Sequence, residues 1–317
     1  MVNKKVIKKW SKMLRGKSVF HVQQVEGKCY SLTEVKGYYN DLTGKVSPNT
    51  ILDDEGVPYN ITVGGIKAYF PITIFQYGLG LYDLYLLEKK EDYLKKFLDI
   101  ANWALTKQEK NGLWNCMSCI GDKMHLSQSS MCQSEGASVL IRAYVETKED
   151  KYYDAASRAI DYMILPIELG GTCYYKTNDY PIFQEYVSND NLSVLNGWIF
   201  SIFGLFDYTL VNNKEKYKKI LNNTVDCLAK ELNKYDRKIW SNYDQKGTIA
   251  SPAYNDLHVM QLRLLNKMFN NKEFEIYANK FEKYQKSKLR KSFAMAVKFK
   301  QKVLKSKYYD INANLAE

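Results

Sequence analysis

The stretch VLNGWIFSIFGLFDYTLVNNKE, residues 194–215, followed by KYKKILNNTVDCLAKELNKYD, residues 216–236, decides the fold. The first part is apolar on every side and contains two glycines, which is typical of a helix enclosed by other helices. The second part alternates apolar and charged residues at helical spacing, which predicts an amphipathic helix with one exposed face. The sequence therefore predicts a buried helix paired with a half-exposed one.

The same pairing recurs three more times along the chain. The apolar members, which contain Gly or Ala, are residues 72–90, 130–150 and 250–273, and their amphipathic partners are residues 91–112, 151–164 and 274–287. A single pair cannot bury its faces alone, so the pairs are expected to stack with the apolar helices innermost. We predict a mainly all-α fold, an α/α barrel (toroid) of about four helix pairs. An open solenoid of helical hairpins is the alternative.

Three regions are expected along the chain. Residues 1–60 are predicted to form a basic N-terminal helix and a short β/turn segment, residues 61–285 the α/α barrel, and residues 286–317 a basic C-terminal helix and tail. The stretch GVPYNITVGGIKAYFPIT, residues 56–73, has paired glycines and two prolines, which indicates turns or short strands.

The net charge of +11 belongs to the two ends of the chain. Seven Lys/Arg and no acid lie between Lys4 and Lys17, and nine Lys/Arg and no acid lie between Lys286 and Lys307. Such ends suit an anionic polymer or anionic lipid head groups, although a solvated helix face gives the same pattern. The C-terminal helix can lie on a membrane, pack on the body or bind a partner. Deletion of residues 286–317 is predicted to weaken attachment to anionic vesicles and to spare the chemistry.

The composition favours a cytoplasmic protein that can also sit peripherally at the inner membrane face. No apolar run reaches the roughly 18 residues that a membrane span needs, and the basic N-terminus is a poor signal peptide. The cysteines are scattered, which argues against a disulfide framework; they are Cys29, Cys116, Cys119, Cys132, Cys173 and Cys227. No second pair accompanies the C-x-x-C of Cys116 and Cys119, so no metal site is predicted. No nucleic-acid partner is expected, and a homodimer is compatible with the sequence.

Two connections between the predicted helices carry residues suited to chemistry. Residues 172–191 form a long aromatic connection in which Glu185 and Tyr186 are adjacent, and long loops are often functional. Residues 238–254 place Tyr243 shortly before a helix that Ser251 caps and Pro252 begins, with Tyr254 in its first turn. The positive end of that helix is expected to ease formation of a phenolate.

Tyr254, His258 and Gln261 follow one another at helical spacing and are expected to share a face. A single histidine at such a position is more often an interior residue than a catalyst, and a Tyr in a first turn usually packs.

Several of these segments together resemble the C-terminal catalytic domain of D-glucuronyl C5-epimerases, which convert glucuronic to iduronic acid in heparan-type polymers. The resemblance runs in order from about Tyr39 to Tyr284. It is carried by YFPITIFQYGLGLYDLYL, SSMCQSEGASVLIRAYVETKEDKYYDAASRAI, FQEYVS with SVLNGWIFSIFGLFDY, and WSNYD with ASPAYNDLHVMQL. The family's domain is an α/α barrel, which agrees with the helix pairs. The pattern departs from the family at Phe70, Gln184, Val187 and Asn255.

The resemblance implies that Glu185, Tyr186, Tyr243 and Tyr254 are the active-site carboxylate and tyrosines. The substrate would be an acidic polysaccharide or oligosaccharide containing glucuronate, inverted at C5 by removal and return of a proton, with no cofactor or metal. Proton removal α to a carboxylate needs a base on one face and an acid on the other.

Four further residues are candidates for substrate binding. Lys246 is the candidate cation for the sugar carboxylate, and Arg142 is a second candidate whose alternative role is packing. His258 and Gln261, on the face of Tyr254, complete the set.

Three other functions stay open at this point. A uronate-directed polysaccharide lyase begins with the same proton abstraction. A glycoside hydrolase on the same fold would need two carboxylates, for which Asp179, Glu185 and Asp256 are available. A non-catalytic carbohydrate-binding helical module would keep its function after Glu185→Gln and Tyr254→Phe.

Overall fold

The protein is described by a computed structural model covering residues 25–61, 65, 67–116, 128–187 and 190–309. The predicted basic N-terminal helix lies outside the described residues, as does the tail after residue 309. Side-chain positions are described up to residue 301.

Four helix pairs make up most of the described chain. The inner helices are α1 (Pro71–Glu88), α3 (Ser130–Thr147), α5 (Leu195–Val211) and α7 (Pro252–Phe269). The outer helices are α2 (Glu91–Lys107), α4 (Asp150–Ile164), α6 (Glu215–Glu231) and α8 (Lys272–Lys286), and each packs on the inner helix before it. A final helix, α9 (Lys288–Tyr309), follows α8 directly. The predicted pairs, and the mainly all-α barrel, are confirmed.

The inner helices are buried on nearly every side because they pack on one another as well as on the outer layer. Helix α3 contacts both α1 and α5, and α5 contacts α7. Small residues permit this approach: a methyl group added at Gly204 on α5 would lie 2.8 Å from the Cα of Ser134 on α3. The outer helices bury only one face, and on α4 that face is formed by Tyr152, Ala155, Ala156, Ala159, Ile160 and Met163.

The links between partners are short and similar. Lys89, Lys148 and Asn270 each end an inner helix in the left-handed conformation, with φ of 56°, 60° and 50°. Each donates its backbone N–H to the carbonyl oxygen four residues earlier, and the outer helix begins two residues later. A short, hydrogen-bonded link therefore joins the C-terminal end of each of these three inner helices to its outer partner. The long connections, residues 108–129, 165–194 and 232–251, all reach the N-terminal ends of inner helices.

The described part of the segment before α1 packs against the first and the last inner helix. Tyr38, Tyr39 and Leu42 are buried in the common core. The short 3₁₀ helix Thr43–Lys45 packs on α1, the first inner helix, while the Glu26 carboxylate accepts a 2.7 Å bond from Lys267 on α7, the last. The strands β1 (Asn60–Ile61) and β2 (Lys67–Ala68) then form the antiparallel pair expected from the turn-rich stretch.

Helix α9 packs back on the body, which was one of the three expected positions. Ala294 is fully buried, and α9 contacts both α7 and α8. Its outer face exposes Leu289, Phe293 and Phe299. Contact of this face with an anionic membrane, and formation of a homodimer, stay predictions. Among the described helices, none combines the length and apolarity that crossing a bilayer requires.

Candidate functional site

Glu185 is held at the N-terminal ends of the inner helices by the backbone of its neighbour. It follows two short paired strands, β3 (Cys173–Tyr175) and β4 (Pro181–Phe183). The Gln184 N–H donates to the carbonyl of Thr172 at 3.0 Å, and the Gln184 carbonyl accepts from the N–H of Ser130, the first residue of α3, at 2.9 Å. The long aromatic connection therefore folds inward and delivers Glu185 to the start of α3.

The Glu185 side chain lies directly on Gly197, in the first turn of α5. A methyl group added at Gly197 would come within 2.5 Å of the Glu185 Cβ. Only glycine gives the carboxyl room at this point, and the glycine of the NGW stretch thereby acquires a role that helix packing alone does not require.

Three tyrosines surround this carboxyl group. Tyr186 hydrogen-bonds Glu185, and the Tyr243 hydroxyl lies 3.5 Å from Glu185 Oε1, a long contact. The Tyr243 ring meets the Tyr254 ring edge to face, with centroids 4.9 Å apart. All three phenols are half-buried. The four residues that the resemblance implied therefore lie together, although they come from two connections and one helix.

Hydrogen bonds at the starts of two inner helices explain where the phenols of Tyr243 and Tyr254 lie. The Ser251 Oγ accepts the N–H of Tyr254 at 3.3 Å and Pro252 begins α7, so the predicted N-cap is confirmed and Tyr254 lies in the first turn. The Tyr243 carbonyl accepts the N–H of Leu195, the first residue of α5, at 3.0 Å. The starts of α3, α5 and α7 thus converge on the cluster. Helix N-termini carry partial positive charge, which favours an anionic ligand.

Burial sets the protonation of the cluster. Glu185 is 4% exposed, and burial raises its pKa to about 7, against the hydrogen bonds from Tyr186 and Tyr243 that lower it. Burial first, and the Glu185 charge second, raise the pKa of Tyr186, Tyr243 and Tyr254 above the ordinary value of 10.0. Burial and the Glu185 charge both act against the easily formed Tyr254 phenolate that the position at the helix start was expected to favour. The site holds a carboxyl group that titrates near neutrality among phenols that stay protonated.

His258 and Gln261 lie below Tyr254 on α7 and are fully buried. The Tyr254 and His258 rings are 6.5 Å apart, and His258 Nδ1 lies 3.5 Å from Ser241 Oγ. Burial, helped by the charge of Lys298, lowers the pKa of His258 to about 3, so the ring is neutral. The Gln261 amide has no hydrogen-bond partner among the described residues. Their proposed contact with substrate stays a prediction.

The two candidate cations each form an ion pair with an aspartate. Lys246 is exposed and pairs with Asp190 at 2.6 Å. Arg142 is fully buried in the ring, where its guanidinium pairs with Asp207 at 2.6 Å and donates to the carbonyls of Lys36 and Gly37. We correct the expectation for Arg142, because these bonds use it to tie the N-terminal segment to α3 and α5. Its alternative role, packing, is the one that the structure supports.

The two aspartates considered for a hydrolase also point elsewhere. Asp179 is exposed and pairs with Lys219 on α6 at 3.0 Å. Asp256 accepts a 2.8 Å bond from Gln285 on α8, in the outer layer. Neither supplies a second carboxylate beside Glu185.

Sequence reasoning missed another buried carboxyl group, Glu135 on α3. Its Oε1 accepts a 2.9 Å bond from Gln76 Nε2 on α1, and its charge interacts with those of Lys45 and Glu185. The available signal was a lone acid inside the small, apolar run SMCQSEGASV, and a lone amide inside ITIFQYG. A charged residue in an inner helix is unusual because burial of an ionisable group is costly.

The cysteines give no sign of a metal centre in the described ranges. No cluster of three or more metal-ligating side chains occurs there, and none of Cys29, Cys116, Cys132, Cys173 and Cys227 forms a disulfide there. Cys119, the other half of the C-x-x-C, lies outside the described residues.

Known proteins are similar in sequence to parts of this chain. An uncharacterized protein of Methanocaldococcus jannaschii, MJ1128, is 28% identical over 161 residues, covering 50% of this chain and 51% of that protein. The D-glucuronyl C5-epimerase of Caenorhabditis elegans is 25% identical over 203 residues, covering 57% of this chain and 33% of that enzyme. The aligned parts thus span about half and a third of these relatives.

The fold has a counterpart among solved structures. Cellobiose 2-epimerase from Bacillus thermoamylovorans superposes with a TM-score of 0.52 at 11% identity, covering 88% of this chain and 71% of that one. This likeness supports the α/α barrel. Residues 107–283, more than half of the chain and including Glu185, Tyr186, Tyr243 and Tyr254, match the family described as D-glucuronyl C5-epimerase C-terminus. The chain belongs to that family.

Proposed function

We propose that this protein is a uronate C5-epimerase that converts D-glucuronate units of a polysaccharide or oligosaccharide into L-iduronate units. The observation that carries the proposal is the buried Glu185 carboxyl group enclosed by the phenols of Tyr186, Tyr243 and Tyr254. Membership of the epimerase family and the name of the nematode relative support the same activity.

The proposed reaction breaks and forms bonds to hydrogen only, through two proton transfers. Glu185, as carboxylate, takes the hydrogen from C5, and the electron pair of that bond forms a C5–C6 double bond while a carboxylate oxygen of the sugar gains negative charge. Tyr254 then gives its phenolic proton to the opposite face of C5, and the electron pair returns to C5; Glu185 afterwards releases its proton to water and the Tyr254 phenolate regains one from water. The configuration at C5 is inverted and neither a cofactor nor a metal takes part.

The protonation states suit these roles. Because the pKa of Glu185 is about 7, a large share of the molecules carry the ionised base at neutral pH. The raised pKa values of the three phenols keep them as proton and hydrogen-bond donors. Tyr186 and Tyr243 can then donate to the oxygen that gains charge, while the starts of α3, α5 and α7 favour the anion.

The test is deuterium exchange at C5 of a desulfated glucuronate polymer incubated with the full chain in deuterated water. Wild type should incorporate deuterium at C5 and yield iduronate. Glu185→Gln and Tyr254→Phe should each lower the rate by about 10²- to 10⁴-fold. The matched controls Glu273→Gln and Tyr277→Phe, on the outer helix α8, should exchange as wild type does.

The products separate this proposal from its competitors. A lyase would release an unsaturated uronate that absorbs in the ultraviolet, and a hydrolase would release new reducing ends. Absence of deuterium from C5, or wild-type exchange by Glu185→Gln, would overturn the epimerase proposal.

A further inference from the structure

Only one of the two carboxyl oxygens of Glu135 has a hydrogen-bond partner among the described residues. Glu135 lies on α3, 0% exposed, and Gln76 on α1 donates to its Oε1 at 2.9 Å. Its Oε2 is buried and has no hydrogen-bond partner among the described residues. Burying such an atom costs free energy that an apolar residue of similar size would not, so the carboxyl group calls for a functional explanation.

Glu135 lies on the helix whose start holds Glu185 in place, five residues after Ser130, whose N–H donates to the carbonyl of Gln184. The two carboxyl charges interact, and the Cys116 thiol interacts with both. Gly136 next to it packs so closely on Phe75 and Trp114 that an added methyl group would lie within 2.9 Å of either ring, which holds this turn of α3 rigidly. Glu185 and Glu135 therefore reach the interior of the ring from a connection and from an inner helix respectively.

We propose that Glu135 is a further catalytic residue, whose Oε2–H donates a hydrogen bond to the substrate carboxylate while Gln76 holds Oε1. The proposal rests on the proposed function. In the reaction, the electrons released from C5 accumulate on a carboxylate oxygen of the sugar, which becomes dianionic. A neutral carboxylic acid can stabilise that charge by a short hydrogen bond without giving up its proton. The proton transfers to and from C5 are therefore unchanged by Glu135.

The charged groups around Glu135 determine when it can donate. Burial above all, and the Glu185 charge to a smaller extent, raise the pKa of Glu135, the Gln76 bond and the Lys45 charge lower it, and the net result is a pKa of about 8. Tyr38 and Cys116 face it as neutral groups, because burial raises the pKa of each well above its usual value. Near neutral pH Glu135 holds its proton while Glu185 is about half ionised. Exchange should therefore rise with pH as Glu185 ionises and fall again as Glu135 loses its proton; the two apparent pKa values belong to the pair.

The test compares two variants of Glu135 in the full chain at saturating glucuronate polymer. Glu135→Gln keeps the shape, the bond from Gln76 and an N–H donor, so it should retain exchange within about 10-fold and lose the alkaline fall. Glu135→Leu removes the donor and should lower kcat about 10²- to 10³-fold. Asp83→Asn is the matched control: Asp83 is also buried, burial raises its pKa to about 7, and its partner is the N–H of Tyr38. Asp83→Asn should keep both the rise and the fall of the exchange rate with pH.

Two results would overturn the proposal. One is a Glu135→Leu enzyme that is folded by circular dichroism and exchanges at the wild-type rate. The other is a Glu135→Gln enzyme that keeps the wild-type alkaline fall.

A binding measurement separates this proposal from the epimerase proposal. Calorimetry with a glucuronate oligosaccharide and with its carboxyl-reduced form should show that wild type prefers the uronate and that Glu135→Leu has lost this preference. If that holds but no deuterium enters C5, the epimerase proposal fails while Glu135 stands as a uronate-binding group. If wild type exchanges but Glu135→Leu keeps the preference, Glu135 is not part of the site.

Discussion

At the scale of single residues, burial distinguishes the two carboxyl groups proposed for the chemistry from those of the surface. Glu149 and Glu215 are exposed and form ion pairs with neighbouring lysines at the solvated surface. Glu185 and Glu135 are enclosed, and burial raises the pKa of each toward neutrality. Groups that titrate near neutrality suit the proposed roles of base and hydrogen-bond donor.

Lys45 should adjust the alkaline limb of the activity profile. Its charge lowers the pKa of Glu135, so Lys45→Gln should raise that pKa and move the fall in exchange to higher pH by about 1 unit. The measurement is the C5 exchange rate at saturating polymer across pH. Lys36→Gln, which removes a surface ion pair with Glu34, is the control and should leave the profile in place. An unmoved alkaline limb in Lys45→Gln would show that Lys45 does not act on Glu135.

Residue spacing could predict part of this site. Ser251, Pro252 and Tyr254 form a local pattern, and local capping chemistry was sufficient to place Tyr254 in the first turn of α7. Nothing local joins Glu185 to Tyr254, and only the family resemblance brought them together. Glu135 was overlooked because a helix of small and apolar residues indicates burial, and its partner Gln76 is 59 residues away in sequence.

At the scale of elements, the repeated helix pairs were readable because each apolar helix contains small residues and each partner has a single apolar face. Closure of the ring could not be predicted from the sequence. It depends on residues 25–46, which have little regular structure and contact α1 and α7 at the two ends of the repeat. Such contacts are set by tertiary fit and leave no periodic pattern in the sequence.

The C-terminal helix α9 also has a role that its sequence did not show. Gln301 accepts the N–H of Ile249 at 3.0 Å and donates to the carbonyl of Gly247 at 3.1 Å, and Lys298 donates to the carbonyl of Ile249 at 2.6 Å. These bonds hold the connection that carries Tyr243. We therefore revise the expectation that removing residues 286–317 spares the chemistry.

Gln301→Leu should loosen this connection without changing any residue of the site. Two hydrogen bonds of about 1 kcal/mol each are lost, so the exchange rate should fall by up to about 10-fold, with a lower Tm. Lys300→Gln, one residue away, is the control and should keep the wild-type rate. If Gln301→Leu is as active and as stable as wild type, α9 does not support the Tyr243 connection.

At the scale of the whole molecule, the buried titratable groups couple activity to stability. Burial raises the pKa of Asp83 to about 7, of Glu185 to about 7 and of Glu135 to about 8, so the folded chain keeps protons that the unfolded chain loses above about pH 4.5. His258 acts in the opposite sense, because its lowered pKa leaves it neutral in the folded chain while the unfolded chain protonates it below about pH 6.5. Three groups oppose one, so the free energy of unfolding should fall as pH rises from about 5 to about 8.

The size of this fall can be predicted from proton counting and measured by urea unfolding at several pH values. Each group whose protonation differs between the two states changes the unfolding free energy by about 1.4 kcal/mol per pH unit. Wild type should therefore lose a few kcal/mol between about pH 5 and about pH 8, and Asp83→Asn and Glu135→Gln should each lose less. Glu273→Gln, an exposed change on α8, should follow wild type. An unfolding free energy that stays constant or increases over this range would mean that the carboxyl groups ionise in the folded chain as freely as in water, and the assignment of Glu185 as a base that titrates near neutrality would fail with it.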